Sequence, residues 1–219
     1  MKKITFLILF LSSIIACQNT NDSSKKVVDN SNSINYDSLK IEIEKMYDTD
    51  QGYRKKVSEM IKNKEALDYD LVVKMNQQDS INQISIRNIL DKHGWLPKSK
   101  IGEKAASAIF LIIQHSDVEV MEKYFPLFQE MVSKNEADKA DAAMMEDRIL
   151  MYRKKKQIYG TQASMRETEA GPEYFIWPIE NPVTVNQRRA EAGFENTVED
   201  NAAGMNAIYN PNEPFPVEE

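Results

Sequence analysis

Between residues 36 and 152 the apolar side chains recur every three or four positions, and that period constrains the fold more than any other feature of the chain. Ile43, Met46, Tyr47, Val57 and Ile61 mark one such stripe, and Val72, Met75, Ile86 and Ile89 mark a second. Seven glycines and eight prolines in 219 residues are too few for a many-turned β protein, and 42% hydrophobic residues suffice for a packed core. A third segment, starting near Gly102 and holding Ala105, Ala106, Ile109, Phe110, Ile112 and Ile113, is apolar nearly all round and is expected at the centre. A fourth carries Val118, Met121, Tyr124, Phe125, Phe128 and Met131, with Pro126 as a potential kink. A fifth spans about residues 136 to 152, with Ala140, Ala143, Met144, Leu150 and Met151 inward. The fold class read from this pattern is mainly α: a single multi-helical domain over 36–200.

From about residue 157 the period dissolves into a proline-punctuated stretch with Tyr174, Phe175, Ile176 and Trp177. So many aromatic side chains predict an irregular segment packed over the helices, with one short helix from about Val183 to Ala192. Residues 201–219 are expected to form a loose acidic tail. Residues 167–219 hold eleven acids against two arginines, and no segment has the basic density that phosphate backbones attract, so nucleic-acid binding is excluded.

The N-terminus reads as an address. Lys2 and Lys3 precede an apolar run from Ile4 to Ile15, shorter than the ~20 residues that span a bilayer but of signal-peptide size. The run ends in Ile14-Ile15-Ala16-Cys17, which resembles a bacterial lipobox, and Cys17 is the chain's only cysteine. The resemblance implies a signal peptide over 1–16, cleavage before Cys17, and palmitate-type acyl chains on that cysteine. Gln18 follows it where aspartate would signal inner-membrane retention, which points to the outer membrane of a Gram-negative bacterium. Residues 17–35, rich in Asn and Ser, read as a flexible tether with a reach of ~25 Å. The expected membrane partner is therefore a lipid surface, reached through Cys17.

Polar residues interrupt the apolar stripes. Asp50 and Arg54, Asp79 and Asn82, the end of Gln114-His115-Ser116-Asp117, and Asp147 all fall at inward positions. A buried unpaired charge costs several kcal/mol, so these groups either pair with one another or face a wet pocket. Two interpretations stay open: a polar pocket for a ligand, and an ion-pair network that fixes helix register. As catalysts, His115 is the candidate general base, oriented by Asp117 or Asp147. As ligand-binding groups the candidates are Asp50, Gln51, Arg54, Gln114, Arg148, Tyr159 and Gln162, with Arg54 or Arg148 suited to an anionic group. No metal site or cofactor is expected: His93 and His115 are the only histidines, in no zinc spacing, and the P-loop, dinucleotide and nucleophile-elbow signatures are absent. The eleven methionines read as core filler.

Taken together, Asp50-Gln51-x-x-Arg54, His93-Gly94-Trp95, Gly102, Gln114-His115-Ser116-Asp117, Asp147-Arg148, Gln157-Ile158-Tyr159-Gly160-Thr161-Gln162 and Arg188-Arg189-x-x-x-Gly193 resemble an uncharacterised bacterial family. That family occurs in Bacteroidetes lipoproteins and actinobacterial proteins and is known only as a domain of unknown function. The resemblance covers about residues 36–200 and implies a mainly helical domain without naming a reaction. Two positions depart from it: Lys154 stands near a common glycine, and Asn186 where an aspartate precedes the paired arginines. The expected function is an envelope lipoprotein binding a small polar or glycan-like ligand; a hydrolase using His115 and a structural scaffold are the alternatives. The 157–162 motif is further expected to close over the helices beside Asp147 and His115.

Overall fold

The structure, a computed structural model, describes residues 34–216 apart from 64, 67 and 170. The expected signal segment, Cys17 and most of the tether lie outside the described residues. The fold is mainly α. Five helices come first: α1 (Tyr36–Lys62), α2 (Tyr69–His93), α3 (Lys98–Gln114), α4 (Val118–Ser133) and α5 (Lys139–Tyr152). A hairpin of β1 (Ala163–Thr168) and β2 (Gly171–Ile176) follows, then α6 (Val185–Glu191) and α7 (Val198–Gly204).

Local chemistry sets the helix ends. The Asp68 carboxylate accepts from the backbone N–H groups of Asp70 and Leu71 and starts α2, and Gly94 stops it. The third helix begins four residues before Gly102 and bends there, at φ +81°. Pro126 sits inside α4 without ending it. Asp117 occupies the N-cap position of α4 but makes no side-chain cap bond.

As its all-round apolarity predicts, α3 is central and touches α1, α2, α4 and α5. Ile101, Ala105, Ile109 and Ile113 of α3 are fully enclosed, together with Ile43, Ile86, Leu96, Met121 and Met145. Each large aliphatic side chain buried this way contributes about 1.5–3 kcal/mol relative to exposure. On α5 the buried methionine is Met145 and Met144 is only half-buried, so the inward face is turned one position from the expected one.

The C-terminal third is less irregular than its sequence suggests. The hairpin pairs Ala163 with Ile176 through to Thr168 with Gly171. Ile176, Ile179, Val185, Val198 and Ala202 form a second, smaller core. The stretch expected to hang free after residue 200 is attached: Ile208 donates to the Tyr174 carbonyl and accepts from the Ile176 N–H, and Phe215 packs edge-on against Trp177. Backbone hydrogen bonds at the β2 edge and a ring for Phe215 offset the entropy of ordering it.

Lys154, near where the resemblance implies a glycine, adopts φ +53°. The backbone there favours glycine for a steric reason, and this chain holds a lysine in it.

Candidate functional site

Four helix segments deliver the polar residues, and the structure sorts them into two separate places. The first lies between α1, α2 and the end of α3. Arg54 donates through Nε to both carboxylate oxygens of Asp50 at 3.1 Å and through Nη2 to Asp79 at 2.9 Å. Gln51 donates to the same Asp50, which is 3% exposed. With Asn82, Gln83, Ile112 and His115 these groups surround a space too tight for a water molecule. The Asn82 amide nitrogen and the His115 Nδ1 are buried there without partners among the described residues, as is the Gln114 Oε1. Burial raises the Asp79 carboxyl above its usual range. Burial, then the Arg54 and Arg148 guanidiniums, drive His115 down to about 4, and Asp50 only partly counters them. At neutral pH this imidazole is uncharged.

Among the described residues no carboxylate orients it. Asp117 is exposed at the start of α4, and Asp147 is occupied elsewhere. The expected His115–Asp117 and His115–Asp147 pairings are therefore corrected: Asp117 points to solvent because the chain turns at Ser116, whose hydroxyl bonds back to the Ile112 carbonyl. Arg148 ties the two places together without a carboxylate of its own, donating to the Gln114 carbonyl and to Gln162 Oε1.

The second place is built around Asp147, which is fully buried. Its Oδ1 accepts from the N–H groups of Ile158 (2.7 Å) and Tyr159 (3.1 Å), and its Oδ2 accepts from the N–H and hydroxyl of Thr161 (3.0 and 2.9 Å). Burial raises this carboxyl, against the lowering effect of those donors. The motif 157–162 thus wraps a side-chain anion with its own backbone. Its carbonyls are held in turn by arginines: Arg188 bonds the Ile158 oxygen, Arg189 the Tyr159 oxygen. Gln157 bridges to the Gln162 and Trp177 carbonyls, and Asn201 to that of Gly160. Gly160 has φ +71°, and a Cβ there would lie 2.6 Å from a Val198 methyl and 2.7 Å from an Ile179 methyl, so any side chain is strained and displaces both. The expected closure is present beside Asp147 but not beside His115, with which the loop shares no hydrogen bond among the described residues. Tyr159 meets the carboxylate through its backbone N–H and turns its ring towards Phe194 and a cleft.

That cleft, about 480 Å³, lies between α4, α5 and α6. Its wall combines Phe125, Val132, Ala142, Ala143 and Ala192 with Gln129, Ser133, Glu146, Tyr159, Arg188 and Glu191, and with Lys139 at the start of α5. Among the described residues, Tyr159 alone of the ten expected catalytic and ligand-binding residues lines it. Sequence reading missed Glu146, Phe125 and Gln129 because each looks like an ordinary member of an amphipathic helix. The available signal was Ala142, Ala143 and Glu146, three positions on one face of α5 with a carboxylate among small residues.

Among the described residues no group of three or more His, Cys, Asp or Glu side chains is placed to hold a metal ion, and no helix is long and apolar enough to cross a membrane. No curated protein and no solved structure matches the chain. A family model does match, over residues 37–209, from the start of α1 past the strand-like contact at Ile208. The chain belongs to DUF6624, a family of unknown function.

Proposed function

We propose that the protein is an envelope lipoprotein whose helical domain binds a small polar, glycan-like ligand in the cleft between α4, α5 and α6. The observation that carries this reading is the cleft's combination of size and lining. A volume of about 480 Å³ falls within the ~300–1,000 Å³ typical of small-molecule sites. A sugar-like molecule presents an apolar face and a rim of hydroxyls. Phe125, Ala142, Ala143 and the Tyr159 ring would take the first, and Gln129, Ser133, Glu146 and the Tyr159 hydroxyl the second. The 157–162 loop is held from both sides, by Asp147 on its N–H groups and by two arginines on its carbonyls, so Tyr159 is pre-placed and little ordering is needed on binding. The tight Asp50–Arg54–Asp79 cluster has no room for a ligand and fits the register-fixing role.

Attachment through Cys17 is supported by the lipobox-like run that precedes it. Several acyl chains at about 0.8 kcal/mol per buried CH₂ would hold the domain at a membrane. Cys17→Ser should move the protein from the membrane pellet to the soluble envelope fraction; a mutant that stays in the pellet refutes the anchor. For the cleft, native mass spectrometry of the full chain purified from its own envelope should show a retained small molecule that Ala192→Phe, which fills the cleft, removes. A wild-type protein carrying no such molecule, or one that Ala192→Phe retains, refutes the site.

A further inference from the structure

The cleft contains an acidic group whose environment is incomplete. Glu146 lies on α5 beside Asp147, but its carboxylate has neither a hydrogen bond nor an ion pair among the described residues. Nothing around it favours its charge: burial and the neighbouring Asp147 carboxylate both act against ionisation, and no cation opposes them. A half-buried carboxylate left this way is costly unless something arrives to pair with it.

The cations nearby do not serve. Arg188 lines the cleft, yet its guanidinium already makes five hydrogen bonds, to the carbonyls of Ile158, Asn181 and Glu180 and to the Thr184 hydroxyl. Lys139 lines the same cleft but is exposed, seven residues earlier on α5 and about 10 Å along the helix axis, and among the described residues it makes no ion pair with Glu146. The Tyr159 ring beside Glu146 is surrounded mainly by negative charge. Burial first, then Glu146, Asp147 and Glu191, hold its hydroxyl proton on, and Arg188 acts the other way. Phe125 and Tyr159 add two aromatic surfaces, whose faces attract cations.

We infer that the ligand of this cleft carries an ammonium group, which pairs with Glu146 while the body of the ligand lies against Phe125 and Tyr159. The inference rests on the cleft being the binding site and adds the chemical class of its occupant. Two sources share this chemistry, an amino sugar with a free amine and an aliphatic diamine.

Isothermal titration of the full chain in detergent with glucosamine, cadaverine and glucose separates them. One or both amines should bind at least tenfold more tightly than glucose, and Glu146→Gln should erase that preference. Glucosamine without cadaverine identifies the amino sugar, and the reverse the diamine. Glu146→Gln should melt at or above the wild-type temperature, because it removes an unpaired charge, so lost binding cannot be ascribed to unfolding. Glucose binding as tightly as both amines, or a preference that survives Glu146→Gln, overturns the inference and leaves the cleft as a site for neutral ligands. A molecule retained from the envelope that carries no amine overturns it equally, whereas an empty wild-type protein overturns the cleft itself.

Discussion

Replacing Asp147 with alanine removes the acceptor on which the 157–162 loop is built. Three backbone N–H groups, of Ile158, Tyr159 and Thr161, and the Thr161 hydroxyl would lose their partner at once. Each buried donor left unsatisfied costs about 1–3 kcal/mol, so three amides set an upper range of about 3–9 kcal/mol. The loop would relax and let water reach some of them, which places the expected loss at about 3–5 kcal/mol. Asp147→Asn keeps one acceptor oxygen but turns an NH₂ towards other donors, and should cost about 2 kcal/mol. Urea unfolding of the three proteins, with slopes compared to confirm a common transition, measures the order directly. Wild type should be the most stable and the alanine variant the least. An alanine variant within ~1 kcal/mol of wild type would show that the carboxylate is not what holds the loop.

Arg54 serves two carboxylates and Asp50 only one arginine, so Arg54→Ala, which strands both acids, should cost about 3 kcal/mol, and Asp50→Ala about half that; equal losses would show that Asp79 is not a real partner. His115, held neutral in the fold, should titrate near 4 by NMR. The unfolded chain takes up this proton near the usual 6.5, so the stability that His115 contributes is complete above that pH and is lost as pH falls towards 4. At about 1.4 kcal/mol per unit this amounts to ~2–3 kcal/mol, allowing for partial exposure, relative to His115→Gln; a titration midpoint near 6.5 would refute the burial. At Lys154, whose φ is positive, glycine should be more stable than alanine by about 1 kcal/mol in thermal melts, and the opposite order would contradict the backbone conformation.

The helical part was legible because its signal is periodic. The all-round apolarity of the third segment placed α3 at the centre, and the stripe positions of Asp50 and Asp147 correctly marked them as buried. The hairpin was not legible. Its strands carry Arg166 opposite Glu173, paired with each other and with Glu213, and exposed Met165 and Tyr174, so the usual alternation is inverted. The candidate site was half legible. Periodicity reports which residues face inward but not whether they meet, and His115 and Asp147 face inward on different sides of the Arg148 bridge. The tail was misread because its anchors, Ile208, Glu213 and Phe215, are isolated in a polar stretch and take their long-range partners from β2, Arg166 and Trp177.

The cleft is tested most directly by a high-resolution crystal structure of the full chain purified from its native cells. Ligand density is expected between α4, α5 and α6, in contact with Tyr159 and with a polar atom at hydrogen-bond distance from Glu146. Density beside His115 and Arg54 instead, or a cleft holding only ordered water, would contradict it.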